Sequence, residues 1–211
     1  MSYVLHLPSK NKELYGYLLE DNHTKLFHKP DNLDIVVPIT LDQVDSSLLI
    51  KQIHNSGYDY YNCIDKEVIW ERADKLIYIY NSLKLCKNEY AIVLDGNDTV
   101  ILKDLDSIID DFKKYNTKIV YNSEIYNYRG QMKYCYNGGV CIGKVADLLE
   151  FYELAISFLD KTPRKYPSEH PYLLKAINKW HNTRCDGQRA LFICYNYEFR
   201  KQKSNEKELS L

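Results

Sequence analysis

Ala91-Ile92-Val93-Leu94-Asp95-Gly96-Asn97-Asp98-Thr99-Val100-Ile101-Leu102 is the stretch on which the fold turns. Its first four residues form an uninterrupted apolar run bounded by turn signals, the pattern of a buried strand. Asp95 falls where that strand ends, and in open α/β sheets ligands bind outside the carboxyl ends of the strands. Two carboxylates, Asp95 and Asp98, then follow around a glycine. Two hard oxygen ligands on a tight turn can share a divalent cation, with waters and phosphate oxygens completing its shell. Asp and Asn also build ordinary Asx turns. On these residues alone both readings stand, and the surrounding chain has to separate them.

Outward from this strand the pattern is regular. Upstream, Asp34 to Ile39 is a β-rich apolar run, and Asp42 or Asp45 can cap a helix reaching about His54. Ser56-Gly57 stops that helix, and the aromatic segment Tyr58 to Ile64 reads as a strand. Glu67 to Leu85 sets Ile69, Ala73, Leu76, Ile77, Tyr80 and Leu83 at helical spacing. Downstream, Asp104 caps a helix with Leu105, Ile108, Ile109 and Phe112 on one face, and Lys118 to Tyr121 reads as a strand. This alternation predicts an open sheet covered by helices.

Residues 122–133 are rich in Tyr and Asn and read as a loop, and Tyr134 to Gly143 carries the pair Gly138-Gly139. The strongest helix follows, with Val145, Leu148, Leu149, Tyr152, Ala155, Ile156 and Leu159 at core spacing. Pro163, Pro167 and Pro171 punctuate the next turn, before a helix from about Tyr172 to Trp180 and a strand-like Ala190 to Tyr195. Three regions are expected: residues 1–31 as an N-terminal extension packed on the domain, with a short helix at Glu13 to Glu20; the domain itself over 32–199; and a charged, frayed tail over 200–211.

Composition narrows the function classes. A chain of 211 residues suits one domain, burying about 70% of its unfolded surface. Charge is balanced, 28 basic against 29 acidic residues, which gives no global electrostatic case for nucleic acid or an anionic membrane. The six cysteines form no Cys-x-x-Cys pair and no zinc-like cluster, so they read as reduced, packed thiols. No apolar segment reaches 18 residues, and Met1 to Pro8 lacks a basic n-region and a long h-region. A soluble, intracellular protein with no membrane span is the expectation.

The ordered set of segments resembles a nucleotide-sugar-dependent glycosyltransferase of the GT-A fold. More narrowly, it is similar to the family containing procollagen galactosyltransferases and the glucosyltransferase domain of multifunctional lysyl hydroxylases. The features in order are a helix with Arg72 and Lys75, the strand ending in Asp95-x-x-Asp98, and a strand running into Asn122-Ser123-Glu124. Next come Tyr136-Asn137-Gly138-Gly139-Val140-Cys141-Ile142-Gly143, Ser168-Glu169-His170 before a helix, and Arg184-Cys185-Asp186 leading to Leu191-Phe192. The likeness covers roughly residues 33–195.

The resemblance implies a single-domain, Rossmann-like α/β fold, a mixed sheet flanked by helices. It implies transfer of a hexose from a UDP-sugar to a hydroxyl acceptor on a protein or glycan, assisted by Mn²⁺ or Mg²⁺. Asp95 and Asp98 would hold the metal against the diphosphate. Lys75 would touch the diphosphate, Thr40 would lie at the base, and Asn97, Asn137, Gly138 and Gly139 would line the donor. Glu124, Glu169 and Asp186 are the acceptor-side or sugar-facing carboxylates, of which Glu169 and Asp186 are the catalytic candidates. Each has a plainer reading: Lys75 as a solvated lysine, Thr40 as a helix cap, Asn137-Gly138-Gly139 as a turn, Asp186 as a turn residue, and the glutamates as exposed side chains.

Three departures from the family pattern stand out. Asn97 occupies the position of an aromatic residue before the second Asp, with Trp70 or a nearby Tyr as substitutes for its stacking. Tyr195-Asn196-Tyr197-Glu198 offers no histidine where the family has its third metal ligand, and neither His170 nor His181 matches that segment. Ser168-Glu169 retains one carboxylate of an acidic pair. A catalytically degenerate GT-A domain kept for binding or assembly is therefore the alternative. An unrelated Rossmann-like nucleotide binder is a third, weakened by the lack of G-x-G-x-x-G and of a P-loop motif.

Overall fold

Tyr90–Leu94 is buried at every position, and its neighbours in sequence alternate between two cores. Ile92 and Leu94 enter one apolar cluster, Ala91 and Val93 the other. A strand covered on both faces has no solvent side on which to place polar residues, which is why the run is continuous rather than alternating.

The computed structural model describes residues 2–7, 12–64, 74–128, 131–159, 169–186 and 190–194. In chain order the elements are β1 (Val4–His6), α1 (Lys12–Asn22), β2 (Leu33–Val36), α2 (Leu41–Val44), α3 (Leu48–Asn55), α4 (Lys75–Leu83), β3 (Tyr90–Leu94) and β4 (Thr99–Ile101). There follow α5 (Ile108–Lys113), β5 (Ile119–Tyr128), β6 (Gln131–Lys144), α6 (Val145–Ile156), α7 (His170–Trp180), β7 (Thr183–Cys185) and β8 (Phe192–Cys194). The larger sheet has the order β2-β3-β6-β5-β7, with β6 antiparallel to both neighbours and the pairs β2–β3 and β5–β7 parallel. The architecture is mixed α/β, a mixed sheet flanked by helices, and is compatible with a Rossmann-like fold.

Helices α3 and α5 pack on one face through Leu49, Ile50, Ile53, Ile108, Ile109 and Phe112. Helices α4, α6 and α7 cover the other through residues such as Leu76, Phe151 and Leu173. A second sheet, β4-β1-β8, has β1 as its middle strand, antiparallel to β4 and parallel to β8. Val4–His6, in the segment expected as an extension, thus pairs on both sides. Among the described residues no helix is long and apolar enough to cross a membrane.

Several local expectations change. The helix expected from Asp42 or Asp45 to His54 is two helices, because Ser47 rather than an aspartate caps the second: its Oγ accepts from Ile50 N–H at 3.2 Å. Tyr58 to Ile64 contributes only an isolated bridge, Val36 with Tyr61. Asp104 does not cap α5; its Oδ1 accepts from the His28 N–H at 2.7 Å, and the helix starts at Ile108. Residues 122–128 and 131–133, expected as loop, continue β5 and β6 as an antiparallel ladder from Asn122↔Asn137 to Tyr128↔Gln131. The expected helical start with Ile69 and Ala73, the Pro163 and Pro167 turn, and the tail 200–211 lie outside the described residues.

Gln52, on the buried side of α3, holds the two sheets' surroundings together. Its Nε2 donates to the carbonyls of Lys25 (2.9 Å) and Ile101 (2.7 Å), and its Oε1 accepts from the Ile101 N–H at 2.8 Å. Gln52→Leu would leave those main-chain groups buried without partners, a loss of about 2–3 kcal/mol. The expected result in urea is a lower unfolding midpoint with an unchanged slope.

Candidate metal centre

The turn after β3 is held from three sides. Asp95 N–H donates to the Gly139 carbonyl at 2.7 Å, tying it to β6. Ser47 Oγ donates to the Gly96 carbonyl at 2.5 Å. Ile39 lies so close to Gly96 that a Cβ there would sit 2.7 Å from it, so no side chain fits. The chain then leaves the larger sheet and enters the smaller one as β4. Asp95 and Asp98 therefore stand at the junction of the two sheets.

The register of the smaller sheet supplies a third donor. His6 pairs with Thr99, and Leu7 N–H donates to the Asp98 carbonyl at 2.6 Å. This brings His6 Nε2 to 3.6 Å from Asp98 Oδ1. One ligand atom each from His6, Asp95 and Asp98 lies within 4.8 Å of the others. The imidazole packs directly on the backbone of β6: a Cβ on Gly139 would meet its Cε1 and Nε2 at 2.4 Å. Gly139 is thus the residue that admits His6.

Lys75 opens α4 beside this group. Its Nζ lies 2.8 Å from Asp95 Oδ2 and 4.0 Å from Glu169 Oε1. Burial disfavours its charge, but the neighbouring carboxylates of Asp95, Glu169 and Asp98 outweigh burial and hold its pKa above the ordinary lysine range. Lys75 is a buried ammonium, not a solvated one. Glu169 reaches the same cleft from the start of α7, with Oε1 3.4 Å from where a Gly138 Cβ would stand. Three carboxylates against one ammonium, 3 − 1, leave two formal negative charges.

That donor set fits a first-row divalent cation. Carboxylate oxygens and an imidazole nitrogen are ligand types that such a cation could take.

The remaining sequence candidates fall into different places. Thr40 precedes α2 but makes no side-chain cap bond, and its Oγ1 is buried without a hydrogen-bond partner among the described residues. Asn97 donates through Nδ2 to Gln43 Oε1, tying the turn to α2. Asn137 Oδ1 accepts from the Gly139 N–H at 2.8 Å and shapes the double-glycine segment. Glu124 lies in β5 opposite Cys135, with its side chain outside the described residues, as are Trp70, Arg72 and Ser168.

Asp186 does not join the cluster. Its Oδ1 accepts from Tyr115 OH and the Ala190 N–H, and its Oδ2 accepts from the N–H groups of Leu191 and Phe192, both at 2.7 Å. This fully buried carboxylate accepts from four donors and holds the main chain entering β8. Tyr115 remains a donor because burial and this carboxylate both push its pKa upward. His170 and His181 also lie outside the group; His181 closes α7 with φ of 56°. His6 was invisible as a candidate because only the pairing of β1 with β4 brings it to the aspartates.

Compared with known protein families and with characterised proteins, the chain matches none.

Two substitutions separate scaffold from site. Asp186→Asn is expected to cost about 3 kcal/mol, through buried charge-assisted hydrogen bonds, while leaving Mn²⁺ affinity unchanged by calorimetric titration. Lys75→Met removes the cation between carboxylates and is expected to cost about 3 kcal/mol without metal. Mn²⁺ should then raise the melting temperature of Lys75→Met more than that of the unaltered protein, because it supplies the missing positive charge.

Proposed function

We propose that this chain is a metal-assisted glycosyltransferase of the GT-A type, moving a hexose from a UDP-sugar to a hydroxyl on a protein or glycan. The observation that carries the reading is the gathering of Asp95, Asp98 and His6 at the carboxyl end of β3, faced by Gly138 and Gly139. The single reversed strand in the larger sheet and the second small sheet beside it support the GT-A assignment.

In this mechanism Asp95, Asp98 and His6 would hold Mn²⁺, which would supply positive charge against the departing diphosphate. Lys75, held protonated, directs its ammonium toward the same phosphates. The bare backbone at Gly139 admits the His6 ring, and that at Gly138 lets Glu169 approach β6 beside it. Thr40 Oγ1, just before α2 and buried without a hydrogen-bond partner among the described residues, would offer a hydrogen bond to the nucleoside. The acceptor hydroxyl oxygen forms the new bond to the anomeric carbon, while the bond to UDP breaks and its electron pair leaves with UDP. Glu169 takes the hydroxyl proton.

The commitment of Asp186 to the loop before β8 favours a second reading, a degenerate domain that binds the nucleotide without turning it over. One experiment separates the two. UDP with Mn²⁺ at ten times Kd should raise the melting temperature by about 3–6 °C, and Asp95→Ala should abolish the rise. Release of UDP from a panel of UDP-hexoses supports the transferase; binding with no release supports the degenerate domain. No shift at millimolar UDP and Mn²⁺ overturns both.

A further inference from the structure

We infer that Asn122 selects which imidazole nitrogen of His6 faces the metal, and that its side-chain amide turns over when the metal binds. This rests on the metal reading of His6, Asp95 and Asp98.

A histidine ligand must present a lone pair on the coordinating nitrogen, so its proton sits on the other one. That second N–H is normally donated to a carbonyl or carboxylate, and this partner decides the tautomer. In His6, Nε2 faces Asp98 at 3.6 Å. Nδ1 faces Asn122, whose Nδ2 lies at 3.4 Å. With an amide N–H directed at it, Nδ1 would be the acceptor, and the proton would then reside on Nε2, toward the Asp98 carboxylate. That tautomer closes the histidine against the aspartate and offers no lone pair to a cation.

The amide itself supplies the alternative. Asn122 is completely buried, and its Oδ1 has no hydrogen-bond partner among the described residues. A buried carbonyl oxygen left unpaired is costly, and half a turn about the side-chain amide places that oxygen against Nδ1. There it accepts Nδ1–H, the imidazole proton moves off Nε2, and the Nε2 lone pair opens toward Asp95 and Asp98. The amide exchanges its nitrogen and oxygen positions without displacing either from the core.

The backbone explains why position 122 is aimed at the imidazole. The β5–β6 register jumps there, from Tyr121↔Cys141 to Asn122↔Asn137. The additional β6 residues are Gly138, Gly139 and Val140, the segment on which His6 rests. Such irregularities re-aim the side chains beside them.

The test has two parts. Long-range ¹H–¹⁵N correlation spectra of the unaltered protein should show His6 protonated on Nε2 without metal. They should show it protonated on Nδ1 with Zn²⁺, a diamagnetic stand-in for Mn²⁺. A tautomer unchanged by saturating Zn²⁺ overturns the inference. In calorimetric titrations with Mn²⁺, Asn122→Leu should weaken binding about 10–100-fold. Asn122→Asp, which keeps an acceptor for Nδ1–H, should bind at least as tightly as the unaltered protein. Equal affinity for Asn122→Leu, or equal losses in both variants, overturns the role of Asn122 while leaving the metal site standing. No binding of either metal to the unaltered protein overturns the site itself, and the inference with it.

Discussion

Everything at the candidate site depends on one stretch of bare backbone. The Gly139 carbonyl accepts the Asp95 N–H, fixing where β3 ends, while the Gly139 Cα lies against the His6 ring. The two contacts constrain each other. Any side chain at 139 would occupy the imidazole's position, and moving β6 away would release the turn that carries Asp95. Interiors packed to crystal-like density transmit such displacements rather than absorb them. The glycine therefore serves geometry more than turn formation.

A second constraint is topological. β3 belongs to one sheet and β4 to another, so the Asp95–Asp98 turn is the crossing point between them. β1, in the middle of the smaller sheet, is positioned by pairing on both edges and ends at His6. A histidine remote in sequence thus becomes a rigidly placed neighbour of two aspartates. Functional groups carried on paired strands are held more tightly than groups on free loops. Asp186 contributes indirectly, by ordering the main chain that leads into β8.

These features differ in how far the sequence reveals them. The β3 strand, the double-glycine segment and the aspartate turn are local patterns, and the buried run Tyr90–Leu94 and helices such as α6 were legible from periodicity. Lys75 was legible as a position but not as a buried ammonium, since the carboxylates of Asp95 and Glu169 beside it come from distant parts of the chain. The extension of β5 and β6 was hidden because Asn and polar residues in 122–133 read as loop; ladder pairing outweighs weak strand propensity. Ser47 is hard to read as a cap beside the two aspartates that precede it, yet it both caps α3 and reaches Gly96. His6 and Gln52 were illegible for a shared reason. Each matters through partners set by tertiary structure, and no spacing in the chain announces them.

The electrostatics of the cleft carry the functional argument one step further. Asp95, Asp98 and Glu169 crowd three acidic groups into a largely buried space, and Lys75 offsets only one of them. The residual negative charge attracts a divalent cation, but Lys75 repels that cation from across Asp95. A diphosphate lying between the two positive centres would convert their repulsion into attraction for itself. Under the proposed function, metal and nucleotide therefore bind with positive coupling, and by linkage each strengthens the other by the same factor.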